Sequence, residues 1–337
     1  MDLVKVDFWI DHGPISGMGH FSRCRGLLEF LVWNCGIKVD IHGADHGLRS
    51  QLKWVRDLGC SPKNLEPSEF DSNIILVDTY SINIYTKILQ LENKKIVAIF
   101  DSNNTIVKAQ PNMLIVRLEN LKSISENSKQ INNQLKPEIT GTLFWNSVLE
   151  NSFLEKSAKL FRVRSRKKKI VVALGGSLMV QEVLEKICLN LSLLSDTTPI
   201  VVDVFLNKQI ISKIKDITNS LDFINLYEFT DDYYNKLIES DLLICGSGTS
   251  AIEAYHLSIK SIILPIFTNA ISNFNGLQRI YKNAIYIDTK KFLDFTTFKN
   301  SIITMLNCGE NYAPSKNGAI DCSRLRRIQD FISSEIR

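Results

Sequence analysis

Short apolar runs alternate with longer helix-like segments along the whole chain, and this alternation constrains the fold more than any other feature. The runs cover residues 4–10, 38–42, 74–77, 95–100 and 113–116, then 170–174, 200–205, 223–227, 242–245, 261–265 and 284–287. Continuous apolar runs separated by helical patterns are typical of parallel strands buried on both faces. The sequence therefore predicts an α/β protein with two doubly wound, Rossmann-like domains that face each other across a cleft.

Two polar segments lie between the halves. Residues 117–140 are rich in Asn, Ser and Lys and are predicted to form a loop or irregular excursion. Residues 162–169 form a basic run, typical of a solvated linker, with contact to nucleic acid or anionic lipid as the alternative. We predict an N-terminal Rossmann-like domain with a catalytic loop over residues 1–160. A C-terminal nucleotide-binding domain with a tail helix then covers residues 161–337.

Composition excludes several classes of protein. Of the 337 residues, 45% are hydrophobic and 23% are charged, which argues against general disorder. The formal charge of +4 does not indicate nucleic acid, since an anionic small substrate is enough to explain it. The seven cysteines form no Cys-x-x-Cys pair, which predicts a reducing cytoplasm without a disulfide framework or structural zinc. Neither a secretory leader nor a membrane span is predicted.

The segment over residues 11–25 combines a strand end, a glycine turn and the start of a helix predicted over residues 26–33. Such a junction brings backbone N–H groups together where an anion can bind, with Gly17 and Gly19 in the turn. His20 follows them, near the positive end of the helix, where the neutral imidazole that can accept a proton is favoured. A tight turn with a capping or packed histidine is the alternative.

Two glycine turns follow predicted strands of the second domain. The first contains Gly175, Gly176 and Ser177, and glycine there lets the backbone approach a ligand closely. The second is followed by a predicted helix, and its residues suit a diphosphate site: Gly246, Ser247, Gly248, Thr249 and Ser250. Glu253, one turn further, would accept hydrogen bonds from ribose hydroxyls or simply complement the helix dipole. No Walker lysine follows, which disfavours an ATPase.

Asp78 and Asp101 each close a predicted strand of the first domain. Carboxylates at neighbouring strand ends serve acid/base chemistry or bind a metal, while turn capping is the alternative. The chain has neither a His-Glu-x-x-His motif nor a Gly-x-Ser-x-Gly elbow.

The order of these motifs resembles the nucleotide-sugar hydrolase family of pseudaminic acid biosynthesis. The matching residues are Gly17, Gly19, His20, Arg23, Cys24, Asp78, Tyr80, Asp101, Gly175 to Ser177, and the segment from Ser240 to Glu253. That family hydrolyses UDP-2,4-diacetamido-2,4,6-trideoxy-β-L-altropyranose. It is itself similar to the peptidoglycan N-acetylglucosaminyltransferase and shares the glycosyltransferase-B architecture. The resemblance runs nearly end to end.

The resemblance implies a role for each matched residue. His20 would activate or position water, Tyr80 would lie near the sugar, and Asn269 would lie near the substrate as a third catalytic residue. The UDP phosphates and ribose would be held by the second glycine turn and Glu253. The other implied substrate-binding residues are Gly17, Gly19, Arg23, Asp78, Asp101, Gly175, Gly176 and Ser177. No cofactor and no metal are implied.

Ala270 departs from the family pattern, which has glutamine after the asparagine. Loss of that amide would change the sugar accepted, or would mark a relative that transfers the sugar to an acceptor. The prediction is a cytoplasmic UDP-sugar hydrolase of nonulosonic acid or surface polysaccharide biosynthesis, with a UDP-sugar as its partner and no nucleic acid. The alternative is a glycosyltransferase of the same fold, in which His20 deprotonates an acceptor hydroxyl. A sugar-nucleotide sensor without turnover is the third hypothesis.

Overall fold

The structure is a computed structural model in which the chain divides into two compact units. It describes residues 4–12, 24, 27–28, 30–44, 59–63, 65–79, 81–100, 113–116, 139–140, 167–175, 177, 180–229, 232–257, 259–266, 271–288, 294–307 and 330–332. The first unit is Met1–Glu150 with Ile320–Arg337, and the second is Asn151–Ala319. The bounds expected from the sequence, 1–160 and 161–337, place the boundary between the domains ten residues later and assign the end of the chain to the second domain.

The first unit contains a parallel sheet of seven strands in the order β3-β2-β1-β4-β5-β6-β7. The strands are β1 (Lys5–His12), β2 (Lys38–Ala44), β3 (Ser61–Pro62), β4 (Ile74–Asp78), β5 (Lys95–Phe100), β6 (Met113–Val116) and β7 (Ile139–Thr140). Helix α1 (Ile82–Leu89) begins after Ser81, whose hydroxyl accepts a hydrogen bond from the Ile84 N–H at 3.4 Å. From β1 the chain adds strands first on one side (β2, β3) and then, from β4 onwards, on the other side. This change of side creates a topological switch point between β1 and β4, at the carboxyl ends of the strands.

Side chains alternate across β1, so that its two faces differ in chemistry. Val6, Phe8 and Ile10 are fully buried on the apolar face. On the other face the buried Asp7 carboxylate lies 2.7 Å from Nε2 of the buried His42, which is on β2. The Ser72 N–H donates to the same carboxylate at 2.9 Å. Burial would raise the pKa of Asp7, yet these hydrogen bonds hold it below its ordinary value.

Gly43 on β2 is required by its surroundings. Its φ of +78° is unfavourable for other residues, and a Cβ there would lie 2.9 Å from both the Ile10 carbonyl oxygen and the Trp9 ring. Gly36 has a similar φ of +67° but open space around it.

We expect Gly36→Ala to lower the free energy of unfolding by about 1 to 2 kcal/mol, the cost of the left-handed conformation. Gly43→Ala should lower it by a further ~1 to 3 kcal/mol, because the added methyl also overpacks the strand pair. Urea unfolding of both variants measures the difference, and equal losses would show that the contact with Ile10 and Trp9 relaxes freely.

The second unit contains a parallel sheet of six strands in the order β10-β9-β8-β11-β12-β13. The strands are β8 (Lys168–Ala173), β9 (Ile200–Leu206), β10 (Ile224–Glu228), β11 (Leu242–Gly246), β12 (Ser261–Leu264) and β13 (Ala284–Tyr286). The helices are α2 (Gln181–Ser195), α3 (Lys208–Thr218), α4 (Asp232–Glu239), α5 (Thr249–His256), α6 (Ile271–Ile280) and α7 (Phe295–Asn307). This is the doubly wound Rossmann order, with its switch point between β8 and β11.

The core of the second unit explains why these segments adopt their structure. Helix α2 buries Leu184, Ile187, Leu191 and Leu194, a spacing of three or four residues that forms one face. That face packs with β8, β9 and β11 in one apolar cluster, which also includes Phe298 of α7. Among the helices that the structure describes, none combines the length and apolar composition needed to span a bilayer.

Two local expectations are wrong. Residues 139–140, expected in a loop, form β7, where Ile139 and Thr140 pair with Ile115 and Val116. Lys168 and Lys169, expected in a solvated linker, begin β8, and the Lys169 ammonium pairs with Glu239 at 2.8 Å. The helix predicted over residues 26–33 is confirmed where the structure describes it: Leu27 and Leu28 are helical, and Phe30–Asn34 is a π-helical turn.

Candidate nucleotide site

The strongest candidate site lies at the switch point of the second sheet, where β8 and β11 end side by side. Cys245 of β11 pairs with Ala173 of β8. A Cβ on Gly246 would lie 3.2 Å from the Leu174 carbonyl oxygen, so glycine allows the two strand ends to approach closely. Gly175 has a φ of +108°, which turns the chain away immediately after β8. The structure thus brings both predicted glycine turns to one edge of the sheet.

Helix α5 begins at this edge, and its N-cap residue has no side chain that could cap the helix. Its N-cap residue is Gly248, with φ −100° and ψ −147°, and its first residue is Thr249, as predicted. The first N–H groups of a helix have no partner within the helix, and the helix dipole adds positive potential there. Thr249 and Ser250 are half-buried, while Ser247 and Ser177 are buried. This arrangement suits an anionic group such as a phosphate.

Glu253 lies one turn into α5, and its environment differs from the exposed position expected for a helix-dipole contact. The residue is only 5% exposed. Its Oε1 accepts a hydrogen bond from the Tyr234 hydroxyl of α4 at 3.1 Å, while Oε2 has no hydrogen-bond partner among the described residues. Burial raises the pKa of the Glu253 carboxyl to about 7, against the opposing effect of the Tyr234 and Tyr233 hydroxyls, which act as hydrogen-bond donors to it. The carboxyl is therefore poised to change charge near neutral pH.

An aromatic cluster covers the neighbouring strand ends. It is formed by Phe205, Tyr227, Phe229, Tyr233 and Tyr234, with ring centroids 5.0 to 6.0 Å apart. The tyrosines of α4 thereby reach α5, which is how Glu253 becomes buried. Sequence reasoning missed this cluster, although two consecutive tyrosines after a strand end were a visible signal.

The switch point of the first sheet collects polar side chains as well. Asp78, which belongs to β4, is fully buried, and its Oδ2 accepts a hydrogen bond from the Cys24 thiol at 3.1 Å. Asp11 near the end of β1 accepts from the Thr79 hydroxyl at 2.7 Å and from Trp9 Nε1 at 3.0 Å. Asp11 was not singled out from the sequence, although it directly follows an apolar strand. Both carboxylates lie where ligands of doubly wound sheets bind.

Several predicted site residues lie outside the part of the chain that the structure describes. They are Gly17, Gly19, His20, Arg23, Tyr80, Asp101, Gly176 and Asn269. Their implied roles stay predictions.

Asp7, Asp40 and Asp71 bring carboxylate oxygens within 4.8 Å of one another in the first unit. Lysines already occupy this cluster: Lys5 pairs with Asp40 at 2.9 Å and with Asp71, and Lys63 pairs with Asp40 at 2.5 Å. Because two ammonium groups pair with these carboxylates and His42 hydrogen-bonds Asp7, the cluster is an ion-pair network.

Comparison with known proteins rests on structure, because no protein-family model and no curated protein sequence matches the chain. Solved structures match it over nearly its whole length. The UDP-GlcNAc 2-epimerase of Methanocaldococcus jannaschii, in complex with UDP-GlcNAc and UDP, matches with a TM-score of 0.66 and 13% identity, covering 98% of this chain and 99% of the other. The spinosyn rhamnosyltransferase SpnG in complex with thymidine diphosphate matches with a TM-score of 0.60 and 12% identity, covering 98% of this chain and 96% of the other.

Acinetobacter baumannii MurG gives a TM-score of 0.56 and 11% identity, covering 98% of this chain and 99% of that one. The chain has the glycosyltransferase-B fold. This confirms the predicted class of two Rossmann-like domains. At 11 to 13% identity the likeness concerns the fold and not the reaction.

Proposed function

We propose that the chain is a glycosyltransferase that uses a nucleoside diphosphate sugar as donor. The observation that carries the proposal is the start of α5 at its glycine N-cap, Gly248, which lies beside the Gly175 turn at the switch point, with the buried Glu253 carboxyl one turn along the helix. A diphosphate would accept hydrogen bonds from the first N–H groups of α5. Glu253 would then face the ribose.

The proposed reaction uses His20, which the sequence motif suggests as the base. The acceptor hydroxyl loses its proton to His20 as its oxygen attacks the anomeric carbon of the sugar. The bond from that carbon to the diphosphate oxygen breaks, and the nucleoside diphosphate leaves with the electron pair. The N-terminus of α5 stabilises the negative charge that develops on the leaving group. The role of His20 rests on the sequence motif.

Hydrolysis is the second candidate. The motif order around His20 resembles the hydrolases that act on a UDP-linked diacetamido sugar, and water would then replace the acceptor. Transfer receives more support, because two of the proteins matched in fold are a rhamnosyltransferase and the glycotransferase of kitacinnamycin. Ala270, where those hydrolases have glutamine, also favours divergence from their substrate.

A panel of UDP-sugars and TDP-sugars, with and without candidate acceptors, separates the reactions. Turnover that depends strictly on an acceptor supports transfer, whereas release of nucleoside diphosphate and free sugar without acceptor supports hydrolysis. The panel includes UDP-2,4-diacetamido-2,4,6-trideoxy-β-L-altropyranose. Tight binding of the panel without turnover under either condition would contradict both enzymatic proposals.

Thr249→Asp tests the diphosphate site directly. A carboxylate at the first position of α5 favours the helix but repels a diphosphate, so UDP affinity should fall at least ~10-fold while the fold is kept. Lys208→Asp is the matched control, because Lys208 is the exposed first residue of α3. Calorimetric titration with UDP measures both variants. Equal UDP affinity in wild type and Thr249→Asp would place the diphosphate elsewhere.

A further inference from the structure

A row of three side chains joins the interior of the second unit to the start of α5. It runs from the Glu253 carboxyl to the Tyr233 hydroxyl of α4 and then to the hydroxyl of Ser250, which is in the first turn of α5. Glu253 is 5% exposed and Tyr233 is 4% exposed, whereas Ser250 is half-buried. The Ser250 end of the row is therefore the one that reaches the candidate diphosphate site.

Two atoms of this row have unused hydrogen-bonding capacity. Glu253 Oε2 and the Tyr233 hydroxyl oxygen are buried and make no hydrogen bond of normal geometry among the described residues. Burial raises the pKa of both groups, and neighbouring hydroxyls oppose the rise as donors: Tyr233 acts on Glu253, and Ser250 acts on Tyr233. Because buried polar atoms are rarely left unpaired, small side-chain rotations should complete both hydrogen bonds.

The protonation state of Glu253 sets the direction of these hydrogen bonds. An ionised carboxylate only accepts, so Tyr233 donates to it and accepts from Ser250, whose single hydrogen is then directed inward. A protonated carboxyl donates to Tyr233 instead. Tyr233 then donates to the Ser250 oxygen, and the Ser250 hydrogen can point towards a phosphate. Burial keeps Tyr233 neutral by raising its pKa well above the ordinary value, so its hydroxyl can serve in both directions.

We propose that Tyr233 relays the protonation state of Glu253 to Ser250, so that Ser250 donates a hydrogen bond to the bound diphosphate when Glu253 carries a proton. The inference deepens the proposed function and rests on it. Nucleotide binding then takes up a proton from solvent onto Glu253. By linkage, the affinity for the nucleotide falls as pH rises and that proton is lost. Tyr233 is a positioning residue in this relay, since it acts through Ser250.

The surroundings of Glu253 allow this proton exchange near neutral pH, where burial places the pKa of the carboxyl at about 7. From α4 it is faced by Tyr233 and by Tyr234, which donates to Oε1 at 3.1 Å. From β11 it is faced by Cys245, whose pKa is raised by burial and then by the charge of Glu253. Strand β12 has no titratable side chain, and Lys236, the cation of α4, pairs with a carboxylate of β9. None of these neighbours is a cation that would hold the carboxyl ionised.

The test measures proton uptake when UDP binds to the full chain, by calorimetry at pH 7.5 in two buffers of different ionisation enthalpy. Wild type should take up about 0.3 to 0.5 proton per UDP more than Glu253→Gln, whose amide cannot titrate. That range follows from a coupling of about 3- to 10-fold, the effect of one hydrogen bond. Protonation of UDP itself contributes equally to both proteins. Between pH 6 and pH 9, UDP affinity should fall by about 3- to 10-fold more in wild type than in Glu253→Gln.

Tyr233→Phe separates the relay from direct repulsion between the carboxylate and the diphosphate. It keeps Glu253 but removes the link to Ser250, so its UDP affinity should depend on pH no more than that of Glu253→Gln. Tyr227→Phe is the matched control, because it removes a hydroxyl from the same aromatic cluster, where its ring stacks on a phenylalanine of β9. It should keep the proton uptake and the pH dependence of wild type.

Equal proton uptake in wild type and Glu253→Gln overturns the inference and leaves the proposed function standing. A pH dependence in Tyr233→Phe that matches wild type also overturns it, because the charge would then act without the relay. If Tyr233→Phe folds poorly, Ser250→Ala interrupts the other end of the relay and should remove the same pH dependence. Failure of wild type to bind UDP and every nucleotide sugar of the panel overturns both the inference and the proposed function.

Discussion

His20→Ala should lower turnover by about 10²- to 10⁴-fold, the usual effect of losing a general base. UDP affinity should stay within a few-fold, because the imidazole acts on the attacking hydroxyl in the transition state and does not anchor the nucleotide. Turnover is measured with the donor and acceptor identified from the panel, and affinity by calorimetry on the same preparation.

His20→Gln is the companion variant, since it keeps a polar side chain that cannot take up a proton. It should be as impaired as His20→Ala. Near wild-type turnover in both variants would show that the base is another residue, and the carboxylates Asp11 and Asp78 at the switch point of the first sheet would be tested next.

Glu253→Gln should make the protein more stable than wild type at pH 8 but not at pH 5. The pKa of the carboxyl is about 7 in the folded protein, raised from 4.5. Between these values the folded state binds a proton that the unfolded chain has released, so wild type loses stability as pH rises through this window. This pKa shift corresponds to a loss of about 2 to 3 kcal/mol in the free energy of unfolding of wild type between pH 5 and pH 8.

Urea unfolding of wild type and variant at the two pH values measures this difference. Glu92→Gln is the control, because Glu92 is exposed in a turn and its replacement should change stability by less than ~0.5 kcal/mol at either pH. A stability gap between wild type and Glu253→Gln that is the same at pH 5 and pH 8 would mean that Glu253 is ionised throughout.

The sheets were predictable from the sequence because their strands are continuous apolar runs. Strands β5 (Lys95–Phe100) and β6 (Met113–Val116) have the predicted bounds, and the other predicted strands differ by one or two residues at one or both ends. Strands β3 and β7 were not predicted, since two residues give no detectable period. Their pairing depends on the neighbouring strand and not on their own composition.

The candidate site was predictable in its backbone but not in its side-chain environment. The glycine turn before Thr249 marked the start of α5 correctly, because glycine and hydroxyl residues after a buried strand are a local signal. The burial of Glu253 was missed, since it depends on Tyr233 and Tyr234, which are about twenty residues earlier in the chain. The pairing of Asp7 with His42 was missed for the same reason.

The buried carboxyls of the two units make the stability of those units depend on pH in opposite directions. The Asp7 carboxylate, whose pKa is lowered in the folded state, stabilises the first unit above its unfolded pKa, and that contribution disappears as acid protonates it. Glu253 in the second unit does the reverse, since it penalises the folded state when base removes its proton. Acid should therefore loosen the first unit before the second, and mild alkali the second before the first. The two units, although similar in fold, would then unfold in one order in acid and in the opposite order in alkali.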